Sequence, residues 1–332
     1  MPKQMDPRLA YDDPLLASRD FFYSTTLYPL GFPLTVESNS QDVLRAASTG
    51  WSYFPKAFDH EPIILSLGTS EVRSSGLPPA PSFRSRGHLL SIVSDPENFL
   101  VCDFKSGFQF GWISEDVAQD TSFLRYFFLE VAVLTTLQQK HLAPIHGACV
   151  AHDGRGIVLC GPSSAGKSTL AYACSRAGWT YVSDDATFLV RSEPLNYAIG
   201  NCHTIRFREN TKRFFPELFH LQASRRANGS QRIETFTREL PIQTTEGCCL
   251  DHVVFLNRNH VGKAHLQPFD KAFALDWFTS FTTYGEASVR EAQLNAYKTL
   301  LDVPVWELCY SDLDDAVSLL NDLKGSSQKE LC

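Results

Sequence analysis

The sequence predicts an α/β protein, a mixed sheet built around a phosphate-binding loop (a P-loop core), preceded by a smaller N-terminal α+β module. Three observations predict it. Gly161 to Ser168 read GPSSAGKS, the pattern Gly, four residues, Gly-Lys-Ser. The apolar run Gly156 to Cys160 precedes the loop and Thr169 to Cys174 follows it with helix-compatible residues, the strand–turn–helix context that gives this pattern its mechanics. Strand-like segments alternate with helical ones after residue 143, which favours a largely parallel or mixed sheet there. The expected division is residues 1–140 for the N-terminal module and 141–325 for the P-loop domain.

Taken in order, Leu34 to Val36 reads as a strand, Ser38 to Ser40 as cap signals and Val43, Leu44 and Ala47 as one face of a short helix. Pro62 to Leu67 is a second strand. Ser74 to Gly87, SSGLPPAPSFRSRG, reads as a long Pro/Ser/Gly-rich surface loop. His88 to Val93, Phe99 to Phe104 and Phe108 to Ile113 read as three strands joined by turns at Asp95-Pro96 and Ser106-Gly107. Thr121 to Lys140 places Phe123, Leu124, Phe127, Phe128, Val131 and Leu134 at helical spacing, one amphipathic helix packed on a core.

Beyond the loop, Trp179 to Val182 is aromatic and β-branched and reads as the next strand, ending in Ser183-Asp184-Asp185. Ala186 to Val190 and Asn196 to Arg208 read as further strands, and Gln222 to Gln231 as a polar, basic, mobile loop. His252 to Leu256 is a buried strand. Lys271 to Phe278 and Ala287 to Leu301 read as helices, Val303 to Leu308 as a late strand and Asp312 to Leu323 as a last amphipathic helix, with a fraying tail from Gly325.

The loop pattern carries the chemistry. Its backbone N–H groups cradle a phosphate and the following helix N-terminus adds partial positive charge. Gly161, Pro162, Ser163, Ser164, Ala165, Gly166, Lys167, Ser168 and Thr169 are therefore the expected contacts to a nucleoside triphosphate, ATP. Lys167 would reach the outer phosphates and the Ser168 hydroxyl would sit on Mg²⁺. At the end of the neighbouring strand, Asp184 and Asp185 can divide two tasks. One holds Mg²⁺ through oxygen and the other accepts a proton from an attacking hydroxyl.

The run His146-Gly147, then GPSSAGKST, then RAGWTYVSDDA at Arg176 to Ala186 resembles the HPr kinase/phosphorylase family, and more closely its kinase-domain relatives, the HPr-kinase-like serine kinases. That fold is similar to the nucleotide core of phosphoenolpyruvate carboxykinase. The resemblance is strong over about Ala143 to Val190. It implies a P-loop kinase core that moves the γ-phosphate of ATP to a serine hydroxyl, with His146, Asp184 and Asp185 flanking the reacting phosphate. Asp185 is the favoured base and Asp184, with Ser168, the metal contact. Phe214 to Leu218 also resembles a run seen in those relatives. Ser164 stands where relatives commonly carry Gly. If that position takes positive φ, the serine costs about 1 kcal/mol. The Glu- and Arg-containing signature of the dephosphorylating activity is not found, and the N-terminal portion does not resemble that of the bifunctional enzymes.

Further candidates stay open between two roles. Arg258 ends a buried strand and either clamps a phosphoryl group or makes a structural ion pair. Arg206, Arg208, Lys212 and Arg225-Arg226 either read an acidic acceptor or form a solvated face, and Glu234 and Glu246 are possible metal or acceptor contacts.

Composition bounds the partners. A net charge of −7 argues against a nucleic-acid backbone, and no apolar run reaches the length of a membrane span. The opening MPKQMDPRLAYDDP lacks the apolar core of a signal peptide. Nine cysteines form no CxxC pair, so buried free thiols and a cytoplasmic location are expected. The function expected is a kinase acting on an unidentified serine-bearing peptide, small protein or metabolite. The alternatives are an ATP-binding regulatory protein without phosphotransfer and an NTP hydrolase. A carboxykinase fits poorly, because the chain is short and has no separate oxaloacetate-binding domain.

Overall fold

The computed structural model describes residues 21–70, 76–191, 196–225, 229–258, 262–282 and 284–324. The chain divides into two compact units, residues 1–84 with 90–133, and residues 85–89 with 134–332. Both are mixed α/β.

The first unit runs β1 (Tyr23–Leu27), β2 (Leu34–Ser38), α1 (Gln41–Trp51), β3 (Ile63–Ser70), β4 (Ser82–Arg86), β5 (Leu89–Asp95), β6 (Asn98–Asp103), β7 (Phe108–Ser114), α2 (Glu115–Gln119) and α3 (Thr121–Leu124), and α4 (Glu130–Lys140) begins in it and continues into the second unit after Val133. Its seven strands are ordered β1-β2-β3-β7-β6-β5-β4. Pairing is parallel for β2–β3 and β3–β7 and antiparallel for β1–β2 and β6–β7. Alternation makes the sheet one-sided: Leu34, Val36 and Ser38 are fully buried while Thr35 and Glu37 between them are not. Side-chain caps start the helices, with Ser40, Ser114 and Asp120 accepting from the backbone N–H of Asp42, Val117 and Phe123.

Two expectations change here. The stretch expected as one loop contains β4, an edge strand whose exposed residues include Arg84 and Arg86; charged residues suit an edge that must not pair further. Ser74 and Ser75 of that stretch lie outside the described residues. The helix expected over Thr121–Lys140 is broken by a wide, π-type segment at Arg125–Leu129 between α3 and α4. Apolar spacing cannot register one extra residue per turn.

The second unit runs β8 (Leu142–His152), β9 (Arg155–Cys160), α5 (Lys167–Arg176), β10 (Thr180–Ser183), β11 (Ala186–Val190), β12 (Tyr197–Gly200), β13 (Thr204–Phe207), β14 (Ser224–Arg225), β15 (Gln231–Phe236), β16 (Gln243–Thr244), β17 (Gly247–Asn257), β18 (His265–Pro268), α6 (Lys271–Thr279), α7 (Ala287–Leu300), β19 (Val305–Cys309) and α8 (Leu313–Asp322). Nine strands share one mixed sheet, and β13-β15-β14 form a small separate one. β9 pairs parallel with β17, and β17 parallel with β19. β8 is antiparallel to β9, β10 and β11. Both faces are buried. On β17, Val254 and Leu256 join a cluster with Leu170, Tyr172, Val317 and Leu320 of α5 and α8. Val253 and Phe255 join one with Ala274, Phe278, Tyr297 and Leu300 of α6 and α7.

The segment Asn196–Arg208, expected as strand, holds β12 and β13, which lie in different sheets. Asn201 makes the break, its side-chain oxygen accepting from the His203 N–H at 3.1 Å and its amide donating to Thr204 Oγ1 at 3.0 Å. The stretch expected as a mobile loop, Gln222–Gln231, contains β14 and the start of β15; residues 226–228 of it lie outside the described residues. Cys102, Cys149, Cys160, Cys174, Cys202, Cys248 and Cys309 are buried free thiols. Cys249 departs from the expectation of free thiols, being disulfide-bonded. Among the described residues no helix is long and apolar enough to cross a membrane.

Candidate active site

β8 organises the site. On one edge Gly147 pairs with Cys160, the last residue of β9, so the chain leaves β9 into Gly161 beside the His146-Gly147 pair. On β8's pairing with β10 and β11, Ser183 lies opposite Cys149 and Ala186 opposite His146. The two strands are separated only by Asp184-Asp185, which therefore fall next to the same stretch of β8. The carboxylates were expected on a strand adjacent to the loop strand in a parallel sheet. Instead β8 lies between β9 and β10 and runs antiparallel to both, so their C-terminal ends still point the same way.

The loop from Gly161 to Gly166 turns on three left-handed residues, Gly161 (φ 145°), Ser164 (φ 76°) and Gly166 (φ 101°). Ser164 thus takes the positive φ that the sequence raised as a condition. Gly166 has a second constraint, because a Cβ there would stand 3.0 Å from the Tyr310 hydroxyl. That hydroxyl donates to the Ala165 carbonyl at 3.4 Å. α5 opens at Lys167, which is 6% exposed.

Lys167 Nζ donates to the carbonyls of Gly161 at 2.8 Å and Pro162 at 3.3 Å, and lies 3.1 Å from His146 Nε2. An ammonium only donates, so Nε2 is the bare nitrogen and the ring proton sits on Nδ1. Nδ1 is 3.4 Å from Asp185 Oδ1. His146 is therefore a neutral bridge from Lys167 to Asp185. Burial, and then the nearby Lys167 charge, push its pKa below the usual range, which keeps it neutral. Burial likewise lowers the Lys167 pKa, against the opposing pull of Asp185.

The two aspartates sit in different surroundings. Asp184 is 8% exposed, and burial pushes its carboxyl up to about 6 even though the Arg206 charge and backbone N–H pull it down. That N–H donates to Asp184 Oδ2 at 2.7 Å. The Ser168 hydroxyl donates to the Asp184 carbonyl at 3.2 Å, which ties the head of α5 to the Asp pair. The Asp185 side chain is 59% exposed.

These groups line a cleft of about 400 Å³ that also takes in Ser163, Ser164, Gly166, Thr169, Ser230 and Asn210. Five basic side chains, Lys167, Arg206, Arg208, Arg232 and Arg258, face two carboxylates across it. In a chain of net charge −7 this concentrates positive potential in one place, as an anion with several charges requires. Arg208 donates to Ser163 Oγ at 3.0 Å, and Arg206 pairs with Glu234 at 3.0 Å. Arg258 lies 5.8 Å from the centre of the Phe214 ring. Lys212 pairs with Glu209 instead, and neither it nor Glu246 lines the cleft. Arg226 lies outside the described residues. Gly161, Pro162 and Ala165 shape the loop through their carbonyls.

Arg232 and Ser230 were missed by sequence reasoning. Ser230 belongs to the stretch whose polarity reads as a loop and Arg232 follows directly after it, and only the pairing of β15 with β13 (Arg206 opposite Glu234) brings them to the cleft. Among the described residues, no group of three or more His, Cys, Asp or Glu stands together to hold a metal ion. The donors present, the Ser168 hydroxyl and two neighbouring carboxylates, are hard oxygens. They fit Mg²⁺, which binds through one or two carboxylates and keeps waters and substrate oxygens for the rest.

A family model described as SynChlorMet cassette protein ScmC matches residues 111–205, the stretch from β7 through the loop and the Asp pair to β13. No curated protein matches the chain. Among solved structures it is similar to the HPr(Ser) kinase/phosphatase from Coxiella burnetii, at 11% identity over 55% of this chain and 95% of that one, with a TM-score of 0.26.

Proposed function

We propose that the second unit is a P-loop kinase core of the HPr-kinase-like kind that transfers the γ-phosphate of ATP to a serine hydroxyl of a peptide, small protein or serine-like metabolite. The observation that carries this reading is the linked series Lys167–His146–Asp185 at the mouth of a basic cleft, beside a loop whose left-handed turns open directly into α5. Phosphoryl transfer needs positioning and charge stabilisation more than covalent help, and those are what these side chains supply.

In this reading the loop amides and Lys167 hold the β- and γ-phosphates, while Arg206, Arg208, Arg232 and Arg258 neutralise the charge that spreads over the transferring group. Lys167 exchanges its loop carbonyls for phosphate oxygens. Ser168, Asp184 and the phosphates would hold Mg²⁺, which would supply neutralisation of phosphate charge when bound. Asp184 suits that task because it is fixed by the Arg206 N–H and buried. Asp185 suits the other: it is accessible to an incoming hydroxyl and oriented by His146, so it accepts the hydroxyl proton. In this reading ATP is the co-substrate, the reaction is cytoplasmic, and neither nucleic acid nor membrane is a partner.

The test is Mg²⁺-ATP turnover with γ-labelled ATP and a mixture of serine-containing peptides and free serine. Label should enter an acid-stable product, and Asp185→Asn should lower the rate by about 10²–10⁴-fold, with Lys167→Ala equally impaired. A second reading, an ATP-binding regulatory protein, takes support from the left-handed Ser164, a strained residue in the loop. Tight ATP binding with neither label transfer nor ADP release would favour it. Turnover without any acceptor, lost in Asp184→Asn or Asp185→Asn, would favour an NTP hydrolase.

A further inference from the structure

Beside the proposed transfer site, α6 carries aromatic side chains that the chemistry above does not use. Phe273, Trp277 and Phe281 recur at i, i+4 and i+8, the spacing that aligns side chains along one helix face. Phe281 lies just past the end of α6, and its N–H bonds the Phe278 carbonyl at 3.3 Å, so the turn continues to it. The row begins at Phe273, 54% exposed, and ends with the Phe281 ring 5.4 Å from the His146 ring. Trp277 lies 5.6 Å from Phe281. The far end is braced from behind: Phe273 meets Phe269 at 5.5 Å and Phe255 at 6.3 Å, edge to face, and those two rings stack at 4.4 Å.

The placement of this row matters more than its hydrophobicity. His146 contacts Asp185, the proposed base, and also Phe281, so the aromatic row runs away from the point where an acceptor hydroxyl must arrive. The cleft itself has the size of one small-molecule ligand and the charge of a polyphosphate site. The acceptor therefore comes in over the rim. Eight residues of helix span about 12 Å, the length of three to four residues of extended chain at about 3.3 Å each. A single hydroxy amino acid reaching Asp185 would touch Phe281 at most and leave Phe273 in water.

Resting on the kinase reading, we infer that the acceptor is a peptide segment, and that apolar residues within about four positions of its target hydroxyl dock on Phe273, Trp277 and Phe281. The acceptor oxygen forms a bond to the γ-phosphorus. The bond from that phosphorus to the β–γ bridging oxygen breaks, ADP leaves with the electron pair, and the hydroxyl proton passes to Asp185.

Two eleven-residue peptides with a central serine test this, one carrying Leu or Phe three and four positions to either side, the other Gln at those positions, with free serine as a third acceptor. Wild-type protein should label the apolar peptide with a KM lower by about tenfold or more than the Gln peptide, the kcat values being similar. Phe273→Ser should abolish the difference and Phe273→Leu should retain most of it. Equal KM values for the two peptides in wild type, or free serine labelled as efficiently as the apolar peptide, would overturn the inference while leaving the kinase reading intact. Fluorescence anisotropy of the dye-tagged apolar peptide, without ATP, separates the two claims. If no acceptor is labelled the kinase reading fails. In that event binding weakened about tenfold by Phe273→Ser upholds the docking row, and binding unaffected by it sinks the row as well.

Discussion

Ser164 shares its left-handed conformation with Gly161 and Gly166 in the same loop, but unlike them it carries a Cβ. Holding a non-glycine residue there costs about 1 kcal/mol, part of which glycine would return to the unfolded state as added chain entropy. Ser164→Gly should thus raise stability by several tenths of a kcal/mol to about 1 kcal/mol in thermal or denaturant unfolding. A loss of stability would mean that the serine hydroxyl makes a bond worth more than the strain. At Asp184 the sign is set by burial. Its folded pKa, about 6, exceeds the unfolded value of 3.8, so the native state binds the proton more tightly. The stabilisation is complete below pH 4 and is lost as pH rises to 6 and beyond. Wild-type protein should lose stability across that window, and Asp184→Asn, which keeps an acceptor for the Arg206 N–H, should flatten the profile. At pH 7 the variant should be the more stable by up to about 3 kcal/mol, the value of a shift of that size. The same substitution should impair Mg²⁺-dependent turnover, which would identify a residue that trades stability for chemistry.

Two glycines in the central strands of the first unit show how elements constrain one another. Gly68 on β3 lies opposite Trp112 on β7, and a Cβ at Gly68 would stand 2.6 Å from the indole ring. At Gly111 on β7 the added Cβ would instead overlap the backbone carbonyl of Phe99 on β6. A ring can swing away, whereas a paired backbone cannot move without shifting the β6–β7 register. Gly111→Ala should therefore cost more than Gly68→Ala, with the latter in the range of about 1–3 kcal/mol typical of overpacking. Chemical denaturation monitored by circular dichroism ranks them, and equal costs would show that Trp112 is as tightly held as backbone. The same contrast explains which elements were legible. Strands β2, β3, β7, β9 and β17 announce themselves through apolar runs, because their side chains decide their burial. β4 and β14 are rich in polar and charged residues, and β8 carries a proline and two histidines, so composition hides all three.

At the scale of the whole chain, the local part of the site was legible in the residues themselves, His146 joined it only through the family resemblance, and Arg232 and Ser230 did not show. Gly161 to Thr169, Asp184 and Asp185 signal themselves because a phosphate-binding turn and its following helix are encoded within a few residues. Their meeting with His146 depends on β8 lying between β9 and β10, a register that no sequence window contains. Arg232 reaches the cleft only through β15 pairing with β13, across an intervening segment of more than twenty residues. The long-range contacts also determine what a ligand can stabilise. If the cleft binds Mg²⁺-ATP, binding to the native state alone raises stability by about 2.7 kcal/mol at a hundredfold excess over Kd. The effect should be local as well as global. Hydrogen exchange should slow at the loop and the head of α5, at Ser183 to Asp185 and along β13, the segments that line the cleft, while the seven-stranded sheet of the first unit keeps its rates. Lys167→Ala should remove both the stabilisation and the added protection. Protection that appears only in the first unit, or nowhere, would refute nucleotide binding at the loop, and the kinase, sensor and hydrolase readings would fall together because all three begin there.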